Sequence, residues 1–184
     1  MVRVYIGKKF DEPASQAHKI EFAYRVEAQT PDYFRLSLDA ANGPFGTRDY
    51  RIVLEAVPLD PSRTFLHLSY AYGYGVSAKM AMEAYLRTVA GQKVGFSAEG
   101  QRPDGHPALV GGLRGALERN AMRYYLAIDA YLAALSAPPD ERLEERLRDW
   151  FDSTEHYALQ LHEVEQDEYL QMKRRECAQQ SSAM

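Results

Sequence analysis

From residue 19 to residue 74 the chain alternates apolar and polar side chains in four successive runs, and this period of two constrains the fold more than any other feature. A strand sends neighbouring side chains to opposite faces, so each run reads as a half-buried strand. In the first, Ile20, Phe22, Tyr24 and Val26 lie on one side and Lys19, Glu21, Arg25 and Glu27 on the other. Phe34, Leu36 and Leu38 then oppose Arg35, Ser37 and Asp39; Tyr50, Ile52, Leu54 and Ala56 oppose Arg51, Val53 and Glu55; Leu66, Leu68, Tyr70 and Tyr72 oppose His67 and Ser69. One face of the resulting sheet is wet and the other requires a cover. The connections are short and rich in turn residues: Thr30-Pro31-Asp32, Asn42-Gly43-Pro44-Phe45-Gly46 and Pro58-Leu59-Asp60-Pro61. Strands joined so closely form an antiparallel meander. Val2, Val4 and Ile6 alternate with Arg3 and Tyr5 and predict a strand almost at the first residue, followed by a turn over 11–16 containing Pro13 and Ser15.

Beyond Gly75 the period lengthens to about 3.6. Met80, Ala81, Ala84, Tyr85 and Val89 fall at helical spacing, with Ser77 as N-cap and Gly91 as stop. Residues 93–98 read as a further strand or an irregular connection, and 100–112, with Pro103, Gly105 and Pro107, as a loop. Leu113, Leu117, Ala121, Tyr124, Ile128, Leu132 and Leu135 then mark the strongest helical stripe in the chain, the natural cover for the sheet. Pro138-Pro139-Asp140 ends it. Leu143, Leu147, Trp150, Phe151 and Tyr157 predict a second helix, and Leu159 to Met172 its continuation or a third reaching Cys177. Strands followed by helices define an α+β order, with a curved antiparallel sheet gripping the long helix and extra helices after it.

At 184 residues the length fits one domain. Apolar residues make up 46% and charged residues 26%, which confines expected disorder to the tail at 181–184. The formal net charge of -4 argues against a nucleic-acid partner. Lys173-Arg174-Arg175 is offset by Asp167, Glu168 and Glu176 and reads as a solvated helix face. Cys177 is the single cysteine, so no internal disulfide forms. No apolar run approaches the ~20 residues that a membrane-spanning helix needs, and a soluble chain without a membrane span is expected.

The runs at 20–26, 34–38, 49–57 and 64–72, followed by Val110-Gly111-Gly112-Leu113-Arg114-Gly115 leading into the long helix, resemble the START-like, or helix-grip, hydrophobic-ligand-binding domains. The resemblance covers about residues 1–136, with 137–180 as a helical extension packed on the same domain. It implies a bent sheet closed around the helix and a cavity between them. Members usually open with a strand and two short helices, whereas this chain starts directly in strand-like sequence. Upstream residues, and with them a targeting signal for a cytoplasmic or periplasmic location, are therefore expected to precede Met1.

Thirteen tyrosines stand out. Tyr24, Tyr50, Tyr70, Tyr72, Tyr124 and Tyr131 all fall on faces that look inward, and a buried phenol needs a hydrogen-bond partner. The set fits either ordinary packing with hydroxyls at the rim or a cavity whose ligand carries some polar atoms. Arg114, Asn120 and Arg123 on the long helix can anchor a headgroup or form surface pairs with Glu118. Arg119 and Arg123, four apart, repel, so at least one must find an anion.

No catalytic set and no metal site are expected, and no cofactor. His156 and His162 are six apart, about 120° from sharing a helix face, while Asp152 and His156 do share one. His67 alternates with the inward residues and faces solvent, and His106 sits in a loop without a nucleophile nearby. The glycine-rich stretches at 73–75 and 111–115 lack the phosphate-binding patterns. The leading expectation is non-enzymatic binding or carriage of a lipid or other hydrophobic small molecule between sheet and long helix. Two alternatives stand beside it: a polyketide cyclase or aromatase-like enzyme of the same shape, and an interaction module, homodimers included, using a groove lined by Trp150, Phe151 and Tyr157.

Overall fold

Cross-strand pairing carries the alternation of the sequence into one continuous surface. The computed structural model describes residues 1–6, 16–76, 79–80 and 93–182, with backbone alone for Phe45, Ser181 and Ser182. The turn expected over 11–16 and the helix expected between Ser77 and Gly91 lie largely outside the described residues. The chain divides into two compact units, Met1–Ala81 and Met82–Met184.

The first unit holds β1 (Val2–Ile6), β2 (His18–Gln29), β3 (Phe34–Asn42), β4 (Thr47–Asp60) and β5 (Arg63–Tyr74), paired antiparallel in that order as a curled meander. Leu38 pairs with Tyr24 on one side and Ile52 on the other, and Ile52 pairs with Tyr70. Directly opposed residues share a face, so these four form one apolar row. Val26, Leu36, Leu54 and Leu68 form the next. The register shifts between Val26 and Ala28, Arg48 and Arg51, and Pro58 and Asp60. Such irregularities sharpen the local twist and help a sheet to curl. A single 3-10 turn, Pro44–Gly46, joins β3 to β4. The core of this unit is Ile20, Phe22, Ala40 and Tyr50, with Leu38, Ile52, Tyr70 and Tyr72 packed against it.

The face read as wet is not uniformly so. Ser37 is 0% exposed and its neighbour on β4, Val53, 6%. Charged side chains flank them: Arg25 bonds Asp39 at 3.0 Å, and Arg35 bonds Glu27 at 2.6 Å and Glu55 at 2.8 Å. Long ion-paired side chains on a pleated surface lie over short neighbours and exclude water from them.

The described part of the second unit begins with the irregular segment 93–97, followed by β6 (Ala98–Gln101) and β7 (Pro107–Leu109). The stretch 100–112, expected to be a loop, is thus mostly a hairpin. Its glycines and prolines sit where a short ladder tolerates them, with Pro107 as the first residue of β7 and Gly105 in the turn. The long helix α1 (Gly112–Ala133) follows, then a 3-10 turn (Ala134–Ser136), α2 (Arg142–Glu155), the short α3 (Ala158–Leu161) and α4 (Gln166–Ser182). Leu147, Tyr169 and Leu170 form a core with Trp150, Phe151, Val164 and Met172 around it.

On α1 the buried residues are Gly115, Arg119, Leu126 and Ala130, while Tyr124, Leu132 and Leu135 of the expected apolar stripe are exposed, as is Tyr131, which was expected to look inward. The reason is local. Gly115 and Gly95 approach so closely that a Cβ on Gly115 would stand 2.8 Å from the Val110 carbonyl oxygen and 3.0 Å from the Gly95 nitrogen. Arg119 meanwhile donates to the Val94 carbonyl at 3.1 Å, and the Glu118 carboxylate accepts from the amides of Phe96 and Ser97 at 2.7 and 2.9 Å. Segment 93–97 is held by polar bonds that a hydropathy stripe does not register.

Candidate functional site

The tyrosines of the sheet converge. Tyr50 lies at the centre, with Tyr72 stacked on it at a centroid distance of 5.3 Å and 15° between planes, Phe22 edge-on at 6.1 Å and Tyr70 tilted at 6.4 Å. Tyr70 and Tyr72 are 5.5 Å apart and Tyr72 and Tyr74 5.9 Å. Strand geometry produces this cluster: 70, 72 and 74 are alternate residues of β5, and Tyr50 sits near the start of the neighbouring strand β4.

The phenol of Tyr50 donates to Thr47 Oγ1 at 2.7 Å, and that hydroxyl donates in turn to the Pro44 carbonyl. The buried hydroxyl is thereby satisfied within the chain. Gly43 gives the ring its room, because a Cβ there would lie 2.3 Å from the ring edge. Burial, reinforced by the neighbouring Tyr50 and Tyr74, raises the pKa of the Tyr72 phenol. The result is an aromatic wall with phenol groups in it, able to contact a flat or extended apolar molecule and to hydrogen-bond its polar atoms.

Of the residues singled out in the sequence, Tyr50, Tyr70 and Tyr72 belong to this cluster. Tyr24 shares the apolar face but is 47% exposed. Tyr74 and Thr47 were missed, although carrying the alternation two residues past Tyr72, across Gly73, reaches Tyr74. No pattern in the sequence marks Thr47.

Arg114, Asn120, Tyr124 and Tyr131 all lie on α1, in the second unit. Asn120, Tyr124 and Tyr131 share one helix face, while Arg114 is about 120° away from Asn120. Arg114 is exposed and meets Glu118 at 3.3 Å and Glu99 at 3.6 Å, a surface pairing. Tyr131 carries the Arg146 guanidinium 4.0 Å above its ring, a cation–π contact from α2. Arg123 finds its anion in Glu163 at 2.7 Å. Arg119 is 7% exposed, and desolvation, then the nearby Arg123, lower its pKa while Glu163 opposes the shift.

The other singled-out groups scatter. His67 is exposed, with Nδ1 2.9 Å from Glu55 Oε2. Glu55 also accepts from Tyr33 and Arg35, and these bonds, Tyr33 first and His67 next, lower its pKa to about 2. His156 meets the backbone carbonyl of Asp152 at 2.9 Å, while the Asp152 carboxylate accepts from Gln166 at 3.1 Å. Trp150 and Phe151 pack on Tyr169 at 5.0 and 5.5 Å and Tyr157 on Phe96 at 5.5 Å. Among the described residues no group of three or more His, Cys, Asp or Glu is placed to hold a metal ion, and no helix is long and apolar enough to cross a membrane.

No protein-family model, no curated protein and no solved structure matches this chain. Its class therefore rests on its own geometry, that of an α+β protein with a curled antiparallel meander followed by a long helix and further helices.

Proposed function

We propose that the chain is a non-enzymatic binding protein of START-like type, which takes up a lipid or another mainly apolar small molecule against the apolar face of its sheet. The observation that carries this reading is the convergence of Tyr50, Tyr70, Tyr72 and Tyr74 on that face. An aromatic wall with a few polar atoms is the usual lining of a small-molecule site. Apolar burial at about 25 cal/mol per Å² supplies most of the affinity, and the phenols orient the ligand. The order of the elements, a meander and then a long helix, supports the helix-grip resemblance.

Native mass spectrometry after gentle purification is expected to show a co-purifying adduct, and a fluorescent fatty-acid probe to bind the emptied protein. Tyr72→Ala is expected to weaken the probe about tenfold, roughly 1.4 kcal/mol, with the far-UV circular dichroism unchanged. A clean apo mass together with no probe binding overturns the proposal.

A further inference from the structure

The outer edge of β5 has features that sheet edges normally avoid. Within the sheet order β5 is terminal, and among the described residues it pairs only with β4. An edge strand offers a row of unpaired amide and carbonyl groups, and proteins blunt such rows with short length, charged residues, proline or a bulge. β5 has none of these over most of its length. It runs twelve residues, Arg63–Tyr74, and after Arg63 holds no proline, lysine, arginine or carboxylate. Its register against β4 is unbroken from Thr64 to Ala71, with shifts opposite 48–51 and 58–60 at its two ends. The opposite edge, β1, is five residues long and carries Arg3, which pairs with Glu21 at 3.4 Å.

Phe65 adds a second observation. It stands on the more polar face of the sheet, opposite Val57 of β4, with 55% of its surface exposed. Antiparallel self-pairing of β5 about a two-fold axis through Leu68 places Phe65 opposite the small Ala71 of the other copy. It also sets Leu66 opposite Tyr70, Leu68 opposite Leu68 and His67 opposite Ser69. Residues opposed in this register have the same parity, so the apolar face continues into an apolar face and the polar face into a polar one, with no like charges opposed. A two-fold contact must be self-complementary in this way.

We propose that a second copy of this chain docks on β5 by edge-to-edge antiparallel pairing centred on Leu68, making one ten-stranded sheet across the dimer. Analytical ultracentrifugation at micromolar concentration is expected to show a dimer. H67K/S69K sets lysine opposite lysine at two adjacent cross-strand positions and is expected to sediment as a monomer. H67K/S69E sets lysine opposite glutamate at the same positions and is expected to remain dimeric. In both variants the amine at position 67 keeps Glu55 as a neighbour.

A monomeric wild type overturns the proposal. So does a dimer that survives H67K/S69K, or one lost in a folded H67K/S69E. Hydrogen exchange on the wild type provides a reading that needs no variant: amides within 64–72 are expected to gain protection as concentration rises, and concentration-independent protection overturns the pairing.

Discussion

Tyr50 shows how one residue can carry both a core and a site. Its ring is buried against Phe22 and Tyr72, and its hydroxyl is tied to Thr47 at 2.7 Å. Removing only the oxygen leaves the aromatic packing in place and takes away one buried hydrogen bond, while Thr47 keeps the Pro44 carbonyl as its acceptor. Tyr50→Phe is therefore expected to cost about 1 kcal/mol, the usual net worth of such a bond. Urea unfolding followed by far-UV circular dichroism measures it, and a loss below a few tenths of a kcal/mol would show that the Thr47 contact does not stabilise the fold. Arg119 illustrates the opposite case, a cation whose burial is compatible with folding because a backbone carbonyl, that of Val94, accepts from it at 3.1 Å. The sequence announced a conflict between Arg119 and Arg123, and the conflict is resolved on the Arg123 side by Glu163.

At the scale of elements, the start of α1 is set by a close backbone approach more than by helix propensity. Alanine is favoured over glycine in a helix by about 1 kcal/mol, so Gly115→Ala would stabilise an isolated α1. In this chain the added methyl meets the Val110 carbonyl oxygen at 2.8 Å and the Gly95 nitrogen at 3.0 Å, both backbone atoms that cannot rotate away. Overpacking of that kind costs about 1–3 kcal/mol. The clash outweighs the propensity, and Gly115→Ala is expected to lower the urea midpoint followed by Trp150 fluorescence, the indole lying in the same unit against Tyr169. A raised midpoint would show that segment 93–97 yields without cost. The strands, by contrast, were legible from the sequence because their information is local: period two, short turns and tyrosine at alternate positions. Gly95, Glu118 and Arg119 were not, because a bond between a side chain and a backbone twenty-odd residues away leaves no periodic mark. The hairpin β6–β7 escaped for a related reason, its two short strands being outnumbered by the turn residues around them.

For the whole molecule, the sequence revealed the order of elements and most of the tyrosine cluster, yet it placed water evenly over a sheet face that in fact buries Ser37 and Val53 among ion pairs. Alternation assigns a residue to a face but does not say how long neighbours lie across it. Carboxylates held by cations and by hydrogen bonds give the chain a common response to acid. Glu55 is lowered from an ordinary 4.5 to about 2 by Tyr33, His67 and Arg35. Glu21 is lowered by Lys19 and Arg3, Glu27 by Arg35 and Ser37, Asp60 by Arg63 and Ser62, and Glu144 by Arg174 and Arg148. For Glu118, burial pushes upward but the Ser97 and Phe96 amides outweigh it, and its pKa too is lowered. Every one of these folded pKa values lies below its unfolded counterpart. Each carboxylate therefore contributes stability above its unfolded pKa and loses it as pH falls through the folded value. Exposed pairs are individually weak, but all six shifts have the same sign. The urea midpoint is expected to hold level from neutrality to about pH 5 and then to fall, with the Glu55 share lost between 4.5 and about 2. Glu55→Gln is expected to lower the neutral plateau and to flatten the acid limb, since a neutral amide at this position has no proton to take up. A midpoint that stays level to about pH 2, or a Glu55→Gln variant whose acid limb is as steep as that of the parent chain, would show that the ion pairs on the polar face do not govern acid stability.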